Sequence, residues 1–483
     1  MSRHTLLATA ACTAAALALT GVAATTAGAA PAAAKAPAKT RTADFNGDGY
    51  PDLAIGAHTA TVAGLKRAGV VTVAYGSPTG LRYDSVISQA TEGVPGDPAA
   101  DGKWREVSAT GDFDGDGYDD LLLNWIETNT ILWGSAKGIT GTGTTLPKGS
   151  YTDADPKILG GALGAGDING DHRTDLVFRA LGGRSGYGFT ALYGPIDRRT
   201  GRAAVNTFRN IEKLDKVAGP RALFVGDITG DGLADVTVDG WWTNHSATSV
   251  VLKGTRTGLV KAAGTVKQGK DWANVGTSAF GDVNGDGYLD LVATLFPAGV
   301  PTLSVNYGGP TGLNATRAGR TLTLSGATGG LQVPSGGLAG GALSVTDTDG
   351  DGFADIVLGA PYKDSGSGAT AIAQAGAVHV FRGSATGVTT VGRRSLTQGT
   401  AGVPSTSEKE DHFGSAVRVL DTDKNGTPEV YVGGNGEDGY TGRVWKLATA
   451  PGTGITGAGA TSFALTAFGG PTGPSNFGYR FAG

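Results

Sequence analysis

Residues 43–57 read ADFNGDGYPDLAIGA, and the fold turns on what this stretch is for. Oxygen-bearing side chains stand at Asp44, Asn46, Asp48 and Asp52, Gly47 and Gly49 lie between them, and the apolar run Leu53-Ala54-Ile55 follows at once. The pattern returns as DFDGDGYDDL from Asp112, DINGDHRTDL from Asp167, DITGDGLADV from Asp227, DVNGDGYLDL from Asp282, DTDGDGFADI from Asp347 and DTDKNGTPEV from Asp421. Seven copies at a loose period of about sixty residues make a repeat architecture.

A second element keeps step with the first. AYGSPTGL (74–81), LWGSAKGI (132–139), VLKGTRTGL (251–259), NYGGPTGL (306–313) and FRGSATGV (381–388) share a bulky residue, a glycine, a short polar turn, a second glycine and an apolar residue. LYGPIDRRTG (192–201) and WKLATAPGTGI (445–455) are looser copies. Each reads as a strand, a tight turn and the start of the next strand. An acidic hairpin followed by a glycine-turn hairpin makes four antiparallel strands. Seven such units repeated radially predict an all-β, seven-bladed propeller over 43–483. The 83 glycines exclude a helical solenoid, and sixty residues with so few large apolar groups would bury too little surface to fold alone.

The acidic turns, with Phe413-Gly414 before the last of them and Gly359-Ala360-Pro361 after the sixth, resemble the FG-GAP (VCBS-type) repeat of integrin α-chain N-terminal propellers and of bacterial secreted proteins. The likeness covers essentially all of 43–483. It implies the propeller fold and bound calcium; it does not imply integrin function, since fold alone does not carry function.

The first repeat starts halfway, without a strand leading into it. Phe413 stands eight positions before the loop acid Asp421, and the chain ends in FGYRFAG, 477–483. Joined to Ala43-Asp44, that end again puts a phenylalanine, Phe477, eight positions before a loop acid. The last strand of the protein is therefore expected to be the first strand of the first blade. Shared between the termini, it would close the ring and remove its exposed edges.

A hard cation needs several oxygens around one point, and a turn with acids or amides at positions 1, 3, 5 and 9 and a carbonyl at position 7 can supply them. The candidate ligands, loop by loop, are Asp44, Asn46, Asp48 and Asp52; Asp112, Asp114, Asp116 and Asp120; Asp167, Asn169, Asp171 and Asp175; Asp227, Thr229, Asp231 and Asp235; Asp282, Asn284, Asp286 and Asp290; Asp347, Asp349, Asp351 and Asp355; Asp421, Asp423, Asn425 and Glu429. Up to seven calcium ions are expected. The first half of each loop is like an EF-hand loop, but the glutamate at position 12 is missing and strands flank the turn in place of helices. More than half of the chain's 43 acidic residues stand at these positions, and neighbouring sequence offers a base only in the third and seventh loops. The loops from Asp112 and Asp347, with four carboxylates each, are expected to bind tightest. His172 and Arg173 weaken the case for the third loop, Thr229 for the fourth, and Lys424 with Glu429 for the seventh.

The N-terminus carries Arg3 and His4, an apolar run from Leu6 to Ala24 and small residues at 27–29, which reads as a secretory signal peptide over 1–29. Residues 30–42 form an Ala/Pro/Lys tail expected to be disordered. The single cysteine, Cys12, lies in the leader, so the mature chain would have no disulfide. A net charge of −4 gives no footprint for nucleic acid, and no stretch suits a membrane span.

HExxH, a phosphate-binding Walker loop and GxSxG are all absent from the sequence. His379 alternates within a strand and reads as packing or surface. His58, His245 and His412 lie near strand ends. By strand parity both hairpin turns share one face, and the opposite face receives Trp125, Trp241, Trp242 and Phe296 where Gly-Ala-Pro would otherwise occur. Trp104 and Trp272 fall in inter-blade links on that side. These aromatics are candidates for stacking on a sugar or packing on a protein, or else for plugging gaps between blades, with Trp241 and Trp242 expected in a loop. Two function classes stay open: a secreted, extracellular, monomeric, non-catalytic binding or adhesion module for a protein or glycan ligand, and a carbohydrate-active protein, lectin-like or a polysaccharide lyase.

Overall fold

The structure is a computed structural model that describes residues 42–483 apart from 103, 105, 126–127, 150–156, 183–185, 211–216, 243–245, 271–274, 296–301, 325–341, 367–369 and 391. Among the described residues the strands form seven four-stranded antiparallel sheets, and the chain is a seven-bladed β-propeller. Blade 2 shows the plan, with strands Glu106–Gly111, Asp120–Trp125, Thr128–Leu132 and Gly143–Thr145 in sequence order across the sheet. The acidic turn joins the first strand to the second, as the repeats predict.

Blade 1 is completed from the far end of the chain. Phe481–Ala482 pairs antiparallel with Leu53–Ala57, with Ala54 opposite Ala482 and Ile55 opposite Phe481. The amide of Gly56 adds a bond to the Arg480 carbonyl at 3.0 Å. Ring closure by the C-terminal strand is thus observed.

The core lies between blades rather than within any one of them. Phe45, Val71, Tyr75, Leu121 and Leu132 form one cluster shared by blades 1 and 2. Leu53, Ile55, Tyr431, Phe463 and Phe477 form another between blades 7 and 1. The residue after the first loop acid supplies a plug to this core: Phe45, Phe113, Ile168, Ile228 and Val283 are all fully buried. Five of the seven acidic turns therefore have one apolar side chain driven into the protein beneath them, and buried Thr348 and Thr422 take the position in blades 6 and 7.

The Phe-Gly and Gly-Ala-Pro motifs meet in space. Gly414, at φ +94°, sets its carbonyl where a Cβ on Gly359 would come within 2.0 Å, so neither residue can carry a side chain. Gly478 stands in the same way against Gly433. The preceding aromatic is held by its backbone: Phe413 and Phe477 amides donate to the Ala375 and Thr441 carbonyls at 3.0 and 3.3 Å. Trp104 takes this seat in blade 2, buried, its amide donating to the Ala68 carbonyl at 2.9 Å. It is a plug between blades and not an exposed anchor. The clue was in the sequence, since Trp104 also stands eight positions before its loop acid, Asp112.

Trp241 and Trp242 differ from expectation as well. They continue the strand Asp235–Trp242, pairing with Ala218 and Val217, and do not form a loop. Trp125 ends the second strand of blade 2. The side chains of these three, and all of Trp272, Phe296 and His245, lie outside the described residues. His379 is fully buried, its Nδ1 2.7 Å from the Ser395 hydroxyl, and burial lowers its pKa to about 4. His58 and His412 are buried too.

Candidate metal centres

Each acidic turn is built by its own first carboxylate. In blade 2, Asp112 Oδ1 accepts the amides of Gly115 and Asp116 at 2.7 and 3.1 Å, and Oδ2 accepts that of Gly117 at 2.9 Å. Asp282 and Asp421 wrap their turns the same way. The acid at position 5 then accepts the amide at position 7, as in Asp48 to Tyr50 and Asp116 to Tyr118. The third loop keeps this shape although His172 replaces glycine at position 6. His172 adopts φ +64° and its amide still bonds Asp167 at 2.9 Å.

Position 9 has a second task that sequence spacing did not show. Asp120 is fully buried and accepts the amide of Phe113 on one oxygen and that of Gly134 on the other, both at 2.8 Å. Asp52, Asp175 and Asp290 do the same with Phe45 and Gly76, Ile168 and Gly194, and Val283 and Gly308. The carboxylate thus ties the acidic hairpin to the glycine-turn hairpin of its own blade. It also explains the first glycine of the second motif: a Cβ at Gly134 would fall 2.1 Å from the Asp119 carbonyl. Close backbone approach is the reason for glycine here, where the sequence suggested turn formation.

The turns also join neighbouring blades. The carbonyls of Asp44, Asp112, Asp167 and Asp282 accept amides from Asp119, Thr174, Ala234 and Ala354 of the following blade, at 2.6–3.2 Å. The Thr422 carbonyl of blade 7 accepts Ser77 of blade 1 at 3.1 Å, so this belt of bonds crosses the closure point.

Burial pushes the position-9 carboxyls up, to about 7 for Asp52 and Asp175, about 8 for Asp120 and Asp290, and about 6 for Asp235 and Asp355. Nearby loop acids raise them further. A cation among these groups would favour their charged forms.

The donors suit a hard divalent ion, being carboxylate, amide and backbone oxygens. One oxygen from each of Asp112, Asp114 and Asp116 lies within 4.8 Å of the others, and the same holds for Asp347, Asp349 and Asp355. Asp44 Oδ1 and Asp349 Oδ1 are buried oxygens with no hydrogen-bond donor, the kind of atom a bound ion would satisfy. The other oxygen of Asp349 lies 2.6 Å from Arg382 Nη1, an ion contact without good hydrogen-bond alignment. Arg198 reaches Asp114 and Asp116 from blade 3, and Lys253 Nζ lies 2.9 Å from Asp231. Bases therefore reach loops that appear base-free in sequence, among them the two expected to bind tightest.

The FG-GAP repeat family matches residues 37–73 and 339–381, the latter containing Gly359-Ala360-Pro361. The propeller therefore carries FG-GAP repeats at these two places. The chain is 30% identical over 167 residues to a phosphatidylinositol-glycan-specific phospholipase D of Bos taurus, covering 32% of this chain and 20% of that protein. It is 28% identical over 181 residues to the Rattus norvegicus enzyme of the same name, covering 34% and 21%. The chain thus aligns with about a fifth of the length of the curated relatives it matches. A chain in the crystal structure of BBS1N in complex with ARL6DN aligns over 86% of this chain and 95% of its own at 12% identity, with a TM-score of 0.46.

Proposed function

We propose that the protein is a secreted, calcium-stabilised propeller that acts as a non-catalytic extracellular binding module. The observation that carries this reading is the belt of acidic turns, each organised by its own carboxylates and most of them bonded through a carbonyl to the next blade. Calcium held there would neutralise crowded charge and stiffen the contact between blades. In a mature chain without cysteine, such ions would serve where disulfides serve other secreted proteins. The N-terminal leader supports export. The phospholipase activity in the relatives' name is no part of the proposal, because the shared stretch is too small a part of those proteins.

A lectin-like role is a second reading, favoured by one cluster on the face opposite the acidic turns. Tyr362 meets His412 edge-on at 5.1 Å between ring centroids, and His412 meets Tyr440 at 6.0 Å. Tyr440 is exposed, and its hydroxyl donates to Glu410 at 3.1 Å. Aromatic rings beside a carboxylate suit a sugar's apolar face and hydroxyls. Binding to arrays of glycans and of extracellular matrix proteins, with calcium and with chelator, tests both readings. Calcium-dependent capture of a matrix protein supports the first and of a glycan the second; no capture on either array counts against both.

A further inference from the structure

We propose that Arg198 is a tethered competitor for calcium at the acidic turn of blade 2, so that a guanidinium from the neighbouring blade sets how readily that turn takes a metal. The inference rests on the calcium reading above and concerns its regulation. Arg198 lies in the turn that follows the strand Gly186–Ile196 of blade 3. Its Nε donates to Asp114 Oδ2 and its Nη2 to Asp116 Oδ2, the latter at 2.5 Å. These are two of the three acids whose oxygens converge, Asp112 being the third. A divalent ion at that point needs the same oxygens at about 2.3–2.6 Å and would repel the adjacent guanidinium. One cation must yield to the other.

The surroundings allow the exchange. The Arg198 side chain is 43% exposed, and its guanidinium lies over Trp133, 5.3 Å from the ring centroid. Beside it an open cleft of about 660 Å³, lined by Asp114 and residues 195–200 and 202–204, gives the displaced side chain room. In blades 4 and 6 a base from the blade's own second hairpin meets the acidic turn instead. Tyr75, Trp133, Tyr193 and Tyr307 precede the first glycine of the second motif in other blades, whereas Lys253 and Arg382 hold that position here and turn to Asp231 and Asp349. Basic side chains thus meet the acidic turns of blades 2, 4 and 6, and Lys446 Nζ lies 3.8 Å from Glu429 of the blade 7 turn.

The test is calcium titration of the mature full-length chain against a chromophoric chelator, comparing the wild type with Arg198→Gln and Arg198→Lys. Arg198→Gln should tighten one site about three- to tenfold, the range expected for losing a partly exposed bidentate ion pair. Its melting temperature in chelator should fall, because the crowded carboxylates lose their counter-charge. Arg198→Lys keeps the charge but not the fork and should fall between wild type and Arg198→Gln. Adding Asp112→Asn to Arg198→Gln should abolish the gain, which places it at this turn. Unchanged or weaker binding in Arg198→Gln, beside a wild type that binds calcium normally, overturns the competitor and leaves the calcium reading standing. A wild type that binds no calcium overturns both.

Discussion

Asp120→Ala separates the two tasks of the acidic turn. The side chain is fully buried, and each of its oxygens accepts one backbone amide at 2.8 Å, from Phe113 and Gly134. An unsatisfied buried donor costs about 1–3 kcal/mol, and two would be left behind. Burial of the carboxyl itself is unfavourable, as its pKa of about 8 shows, and its removal returns part of that loss. A net destabilisation of about 2–4 kcal/mol remains, and it should appear in chelator as well as in calcium. Asp116→Ala is the contrast. Asp116 is partly exposed, accepts the Tyr118 amide at 3.1 Å in an exposed turn, and should cost under about 1 kcal/mol in chelator while weakening calcium binding at blade 2. Thermal and urea unfolding of both variants, with millimolar calcium and with chelator, gives the four values required. An Asp120→Ala protein that melts like wild type in chelator would refute the idea that position 9 staples the two hairpins.

Phe477→Ala, which empties a fully buried seat between blades 7 and 1, should cost about 3–5 kcal/mol, and deletion of 477–483 should block secretion of folded protein; wild-type melting of either would refute closure of the ring by this segment. Trp104→Ala should cost a similar amount and Trp104→Phe much less, because the tryptophan occupies the seat that Phe413 holds in blade 7; equal melting of both variants would deny that equivalence. In chelator, stability should fall as pH rises from 6.5 to 9. Asp120 and Asp290 hold protons up to about pH 8 in the folded chain but lose them near pH 4 when unfolded, so the folded state binds more protons across this window. His379, with its pKa lowered to about 4, acts in the opposite sense below pH 6.5 and leaves the window clean. A flat chelator profile in urea unfolding would contradict these shifts.

The propeller was legible because its signal is local and periodic. An acidic turn and a glycine turn alternate seven times, and Phe477 keeps the eight-residue spacing of Phe413 across the chain termini. What stayed hidden depends on contacts distant in sequence. Arg198 meets Asp114 from 84 residues away, and nothing near the DFDGDGYDDL stretch announces it. Position 9 was readable as an oxygen donor, but its backbone partners in the next hairpin were not. Gly134 looked like a turn residue, while its real constraint is the Asp119 carbonyl of the adjoining hairpin. The tryptophans show the limit from the other side: residue type left anchor and plug both open, and only the structure shows that Trp104 is a plug, while Trp241 and Trp242, expected in a loop, continue a strand.

Calcium dependence of thermal unfolding tests the central claim most directly. The mature protein is melted in chelator and at rising calcium, and metal retained after dialysis is counted by elemental analysis. The midpoint should rise steadily with the logarithm of calcium concentration, as it does when metal binds only the folded chain, and several ions per chain should be retained. Identical midpoints in calcium and chelator, with no metal retained, would contradict it.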